Sequence, residues 1–319
     1  MSKIPLKLSR VLISGASGLV GSSLRAHLKL QGYEVFSLVR KSSYSKRALS
    51  CVSHDIVWDP KRGHIELEKL DGFDAIIHLA GENIASLRWT KKKKEKIRQS
   101  RLKGLELILR VCKSLKKPPT RLLVASAVGY YGDRGDELLT DTSAKGTGFL
   151  ADLTSDIEAL CQTSSIKAIP MRFGIIISEK GGFLKKALPL FRFGLGAVLG
   201  SGNQFMSWIH LDDAVRLITY CLENQKITSA VNITAEPVTQ RNFAYSLAKT
   251  LKKPLFFKVP KWLVNWLGGQ MAEALILSSA RAYPSKPLEP LIEYPKIEQA
   301  LESLFYLDEA KIMKTPSTG

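Results

Sequence analysis

The chain has 319 residues, an apolar fraction of 45% and a formal net charge of +18. That length and composition suit one large globular domain, or one domain with an appendage. No apolar run reaches the roughly 18 residues needed to cross a bilayer, and Met1–Lys7 lacks the apolar core of a signal peptide. Cys51, Cys112, Cys161 and Cys221 lie far apart with no C-x-x-C pair, so neither a disulfide framework nor a metal site is expected, and a reducing cytoplasmic setting fits. The charge invites a nucleic-acid reading, but the densest run, Lys91–Lys94 with Lys96, Arg98 and Arg101, has little aromatic interleaving. It reads as a solvated helix face, and no specific nucleic-acid partner is expected.

The first predicted element is a strand over Val11–Ser14, broken by Gly15, Gly18 and Gly21 in a G-x-x-G-x-x-G spacing, with a helix following over Ser22–Leu30. Strand, glycine turn and helix in that order suit a dinucleotide pyrophosphate: glycines admit close backbone approach, and a helix start offers unpaired N–H groups. The second strand, Glu34–Val39, decides the form of the dinucleotide. An acid near its end would hold a ribose 2′-hydroxyl, but Arg40 and Lys41 stand there instead, which favours a 2′-phosphate and hence NADP(H).

Further strands are predicted over Asp55–Val57, Ala75–Leu79, Arg121–Ser126, Lys167–Arg172 and Ala230–Ile233. Helices are predicted over Thr90–Leu115, Phe149–Thr163, Asp212–Leu222 and Gln240–Leu251. Thr90 and Asp212 are expected as N-caps, and Pro118-Pro119 as the stop of the long helix. The alternation predicts an α/β fold: a Rossmann-like, doubly wound parallel sheet. Small residues after the strand Ala75–Leu79, namely Ala80 and Gly81, suit a ribose lying against the backbone. Beyond about Lys252 repeated prolines punctuate short helical pieces, which predicts a small helical module.

Several blocks carry a more specific signal. They are Ala80–Ile84, Arg88-Trp89-Thr90, Ser100-Arg101, Ser126–Asp133, Gly194–Gln204 and Trp208–Asp213. In this order they resemble an atypical epimerase subgroup of the extended short-chain dehydrogenase/reductase superfamily, within its NAD-dependent epimerase/dehydratase branch. The resemblance runs from about Arg10 to Leu304. It implies an NADP(H)-binding Rossmann-like domain over 8–235, with a smaller substrate lobe drawn partly from 180–210, and a C-terminal helical module over 251–304. It also implies cofactor contacts from Gly15, Ser17, Gly18, Leu19, Val20, Gly21, Arg40, Leu79, Ala80, Arg101 and Arg172.

Enzymes of the superfamily use a Tyr-x-x-x-Lys pair on the helix after the fifth strand, where the lysine eases proton transfer by the phenol. Counted back from Glu158, those places hold Leu150 and Thr154. The remaining candidates are the Ser126 hydroxyl and the phenols of Tyr130 or Tyr131, with loop packing the other reading of both tyrosines. His210 is a candidate substrate group or a structural histidine. Gly200-Ser201-Gly202 is a backbone anion cradle or a plain turn. The expectation is an NADP(H)-binding oxidoreductase or epimerase for a small carbonyl or sugar-like substrate, working as a monomer or homodimer. The alternative is a non-catalytic NADP(H)-binding redox sensor or partner-binding protein.

Overall fold

The computed structural model describes residues 9–40, 54–85 and 88–305. Eight strands form the main sheet: β1 (Arg10–Ser14), β2 (Glu34–Arg40), β3 (Asp55–Asp59), β4 (His64–Ile65), β5 (Ala75–His78), β6 (Arg121–Ala127), β7 (Lys167–Phe173) and β8 (Val231–Ile233). Their spatial order is β8-β7-β6-β5-β1-β2-β3-β4, and every pairing is parallel except that of β3 with β4. The chain winds outward from β1 to one edge, then returns to its other side through β5. The order therefore reverses between β1 and β5, where open α/β sheets bind their ligands at the carboxyl ends of the strands.

Strand alternation sorts the core into two layers. Val11, Ile13, Ile77 and Leu123 face one side and pack with α1 (Leu19–Leu30) through Leu24 and Leu28. Leu12, Ile76, Leu122 and Val124 face the other side. There they meet α2 (Lys91–Cys112) through Leu105 and Ile108, and α3 (Phe149–Gln162) through Leu153 and Ile157. These apolar positions recur three or four residues apart, which places them on one face of each helix.

Thr90 caps α2, its hydroxyl accepting from the Lys93 amide at 3.1 Å. The helix ends at Cys112, short of Pro118-Pro119: the amides of Lys113 and Ser114 close its last turn first. The cap of α5 also differs from expectation. After α4 (Gly182–Arg192), α5 spans Leu211–Glu223, and His210 rather than Asp212 caps it, because the imidazole Nδ1 accepts from the Asp212 amide at 3.2 Å.

Downstream lie α6 (Gln240–Thr250), α7 (Lys261–Ala272), a single π-turn over Glu273–Leu277 and α8 (Ile297–Phe305). Gly269, at φ +54, kinks α7 just before the π-turn. This C-terminal segment is stitched onto the loop after β6 and onto α5. Arg281-Ala282 pairs with Leu138-Leu139, and the buried Asp213 carboxylate accepts the Glu293 and Tyr294 amides at 3.0 Å each.

Candidate functional site

Ser14 and His78 sit opposite each other at the carboxyl ends of β1 and β5. The Ser14 hydroxyl pairs with His78 Nδ1 at 2.7 Å and accepts the Ala80 amide at 3.3 Å. Burial pushes the His78 imidazole down to about 4, so the ring is neutral at ordinary pH. This pair locks the glycine turn to the loop after β5. Gly15, at φ +74, lies so close to that loop that a Cβ would stand 2.8 Å from the Leu79 carbonyl carbon. A Cβ on Gly21 would stand 2.2 Å from the Gly15 carbonyl oxygen.

The cradle fits a dinucleotide phosphate. Ser17 and Gly18 are exposed, α1 has no side-chain cap and no acid in its first turn, and Leu19 and Val20 begin it. Its free amides and positive dipole end face the crevice. Arg40 ends β2 with an exposed side chain, and Lys41 lies outside the described residues.

Arg101 comes from α2 and lies over Gly81, where a Cβ would meet its guanidinium carbon at 2.9 Å. Its Nη1 donates to the Glu82 carbonyl at 3.0 Å, and burial pushes it down to about 10 against the opposing pull of Glu82. Glu82 is held low by hydrogen bonds from Lys93 and Lys96.

A second constellation lies behind β6. Ser126 donates to Glu158 Oε1 at 2.9 Å. Arg172 forks onto the same carboxylate, Nε to Oε1 at 2.9 Å and Nη2 to Oε2 at 2.7 Å, and its Nη1 donates to the Tyr131 hydroxyl at 2.8 Å. Tyr131 donates in turn to Asn232 Oδ1 at 2.6 Å. Tyr130 stacks on the guanidinium, 3.7 Å from ring centroid to Cζ. Burial disfavours the Arg172 charge, but its hydrogen bonds to Glu158 and Tyr131 prevail and hold it above the usual arginine range. Burial likewise raises the Tyr131 phenol, only partly offset by Arg172. The structure thus joins Ser126, Tyr131 and Arg172 in one buried hydrogen-bonded network, with the half-buried Tyr130 ring packed on the guanidinium. Glu158 and Asn232 complete it.

Between this network and the C-terminal segment lies a cleft of about 940 Å³. Its walls are the loop after β5 (Asn83, Ile84, Ala85), Trp89, the loop after β6 (Ala127–Gly129), the start of α3 (Phe149, Leu150), α4 (Phe183) and residues 205–207. The π-turn and the end of α7 form the remaining wall, fastened by Arg88, which donates to the Trp266 and Leu267 carbonyls. Leu150 lines the cleft and Thr154 does not; the Thr154 hydroxyl donates to the Leu150 carbonyl at 2.8 Å.

His210, Gly200 and Ser201 stand apart from these walls. His210 is buried as the α5 cap, 4.5 Å from the Tyr294 ring. Gly200 and Gly202 donate their amides to the Val259 and Leu199 carbonyls, so the segment is a tight turn. Sequence reasoning missed the aromatic walls and the cleft-facing stretch 270–280. The signal in that stretch is the short apolar run Ala274–Leu277, which does not say what it faces.

The sequence profile of the NAD dependent epimerase/dehydratase family matches residues 11–234. The chain is 35% identical over 279 residues to an epimerase family protein, Mb2239, of Mycobacterium bovis, covering 86% of this chain and 90% of the relative. The fold is similar to that of human epimerase family protein SDR39U1, solved with NADPH. That match has a TM-score of 0.81 and 25% identity, and covers 92% of this chain and 98% of that one. A nucleoside-diphosphate sugar epimerase from Corynebacterium glutamicum matches with a TM-score of 0.74 and 29% identity, over 96% of this chain and 61% of that one.

Proposed function

This chain belongs to the NAD dependent epimerase/dehydratase family, and from that premise we propose that it binds NADP(H) in the β1/β5 crevice and serves as an oxidoreductase or epimerase of that family. The observation that carries the reading is the Gly15–Gly21 cradle, closed to any Cβ and placed at the start of an uncapped helix where the strand order reverses. The amides of Ser17, Leu19 and Val20 would hold the pyrophosphate, with Gly18, whose own amide is spent on the Gly15 carbonyl at 2.9 Å, keeping the approach free of a side chain, and Arg40 with Lys41 would hold the 2′-phosphate. Leu79, Ala80 and Gly81 would back the nicotinamide-side ribose, with Arg101 over them. The human relative solved with NADPH supports the choice of the phosphorylated form. A bound nicotinamide supplies or accepts a hydride.

Residues 8–235 would form the cofactor domain, and 251–304 the module that closes the cleft. Arg172, Ser126 and Tyr131 enter as positioning residues that hold the cleft wall in place, because their polar arms are already taken. Leu150 and Thr154, where a proton-transferring pair would stand, favour a second reading: a non-catalytic NADP(H)-binding sensor.

Thermal unfolding with each nucleotide tests the proposal. A ligand at about 100 times its Kd stabilises the native state by about 2.7 kcal/mol, so NADPH is expected to raise the midpoint by several degrees and more than NADH does at equal concentration. No rise with either nucleotide would refute it.

A further inference from the structure

We propose that the cleft takes an uncharged, predominantly apolar ligand with a flat ring system, and excludes nucleoside-diphosphate sugars. The inference deepens the reading above and rests on it, since it names the substrate class of the same site. Trp89, Phe149, Phe173, Phe183 and the adjacent pair Phe205-Met206 line the cavity from five segments of the chain. Trp89 and Phe149 meet edge to face, 5.2 Å between centroids, and the Trp89 indole N–H is spent on the Ile84 carbonyl at 2.8 Å. Such walls reward contact with apolar rings, and two of the lining hydroxyls are spent within the protein, Ser207 on the Ala280 carbonyl at 2.7 Å and Ser278 on the Glu273 carbonyl at 2.9 Å.

The charges tell against a diphosphate. Among the described residues no arginine lines the cleft, and the charged lining residues are Lys94, Lys186, Asp133 and Glu273, two of each sign. Lys94 lies over the Phe149 ring at 5.3 Å, and Lys186 donates to the Ala85 carbonyl at 2.5 Å. Asp133 accepts the Ser279 amide at 3.1 Å. Two adjacent phosphates bring two negative charges that need forked or clustered cations. The buried Arg172 guanidinium is already locked on Glu158. A volume of about 940 Å³ leaves room for a substantial ring system beside a nicotinamide.

The test is a fluorescence titration of the full chain with Nile red, a neutral flat dye, in the presence and absence of NADPH. Saturable binding is expected, displaced by menadione and unaffected by millimolar UDP-glucose. Ala274→Glu on the C-terminal wall and Ala187→Glu on the α4 wall should each weaken the dye by about tenfold or more. Their thermal midpoints and NADPH affinities, measured on the same samples, report folding. Displacement of the dye by UDP-glucose, or dye binding unchanged in both folded variants, overturns the inference. NADPH binding without dye binding also overturns it and leaves the cofactor proposal standing, whereas dye binding without NADPH binding removes the cofactor proposal alone.

Discussion

The Ser126 hydroxyl and Arg172 Nε donate to one and the same carboxylate oxygen, Oε1 of Glu158, each at 2.9 Å. A serine at the end of β6 that would orient a substrate carbonyl is instead part of a buried ion-pair network, and the adjoining cleft wall is apolar. The network's cost of disruption is the first prediction. Glu158→Ala leaves the Arg172 guanidinium, 4% exposed, without its counterion, and removing one partner of a buried pair costs ~3–5 kcal/mol. Urea unfolding should show that loss, with a much smaller loss in the Glu158→Met, Arg172→Met double variant. Equal losses in the single and double variants would mean that the pair does not act as a unit.

Acid stability follows from His78. Its folded-state value, pushed down to about 4 by burial, lies below its ordinary 6.5. The unfolded chain therefore binds the proton first, and the folded state loses stability as pH falls from 6.5 toward 4. The shift corresponds to a loss on the order of 3 kcal/mol across that window. Glu66, Asp74 and Glu82 are also held below their ordinary values and add losses of the same sign at lower pH. His78→Gln should flatten the slope of stability between pH 4 and 6.5, measured by urea unfolding. A slope equal to that of the parent would show that His78 titrates normally.

Gly21→Ala tests the cradle. The added Cβ meets the Gly15 carbonyl oxygen at 2.2 Å, backbone against backbone, so the turn must open. NADPH affinity is expected to fall by about 100-fold, or ~2.7 kcal/mol, with far-UV circular dichroism retained. Affinity close to that of the parent would contradict the assignment.

Arg40→Ser tests the choice of nucleotide. Loss of a charge-assisted contact to a 2′-phosphate is expected to weaken NADPH by about tenfold while leaving NADH nearly unchanged. Equal weakening of both would place Arg40 outside the 2′ position.

The sheet was legible in the sequence because most main strands are short, largely apolar runs with their own boundaries. Val11–Ser14 and Ala75–His78 announce themselves, and the glycines between β1 and α1 leave one kind of turn. The switch point was legible with them, since it follows from which strand comes first. The buried network was not. Ser126, Glu158, Arg172 and Asn232 come from four elements, and only folding puts their polar atoms within 3 Å of one another. The cap of α5 falls at His210, not at the expected Asp212, for a related reason: a cap by an imidazole leaves no local pattern, whereas Thr90 follows the ordinary hydroxyl preference. The short strands beyond β7, such as Ile175–Ile177 paired with Trp208–His210, are set by tertiary pairing and carry no alternation long enough to read.

The central claim is that the β1/β5 crevice binds a nicotinamide dinucleotide and prefers its 2′-phosphorylated form. Isothermal titration calorimetry of the full chain with NADPH and with NADH, under identical conditions, tests it most directly. The account predicts one site per chain, with NADPH tighter by about tenfold or more, ~1.4 kcal/mol. Silence with both nucleotides, or tighter binding of NADH, would contradict it.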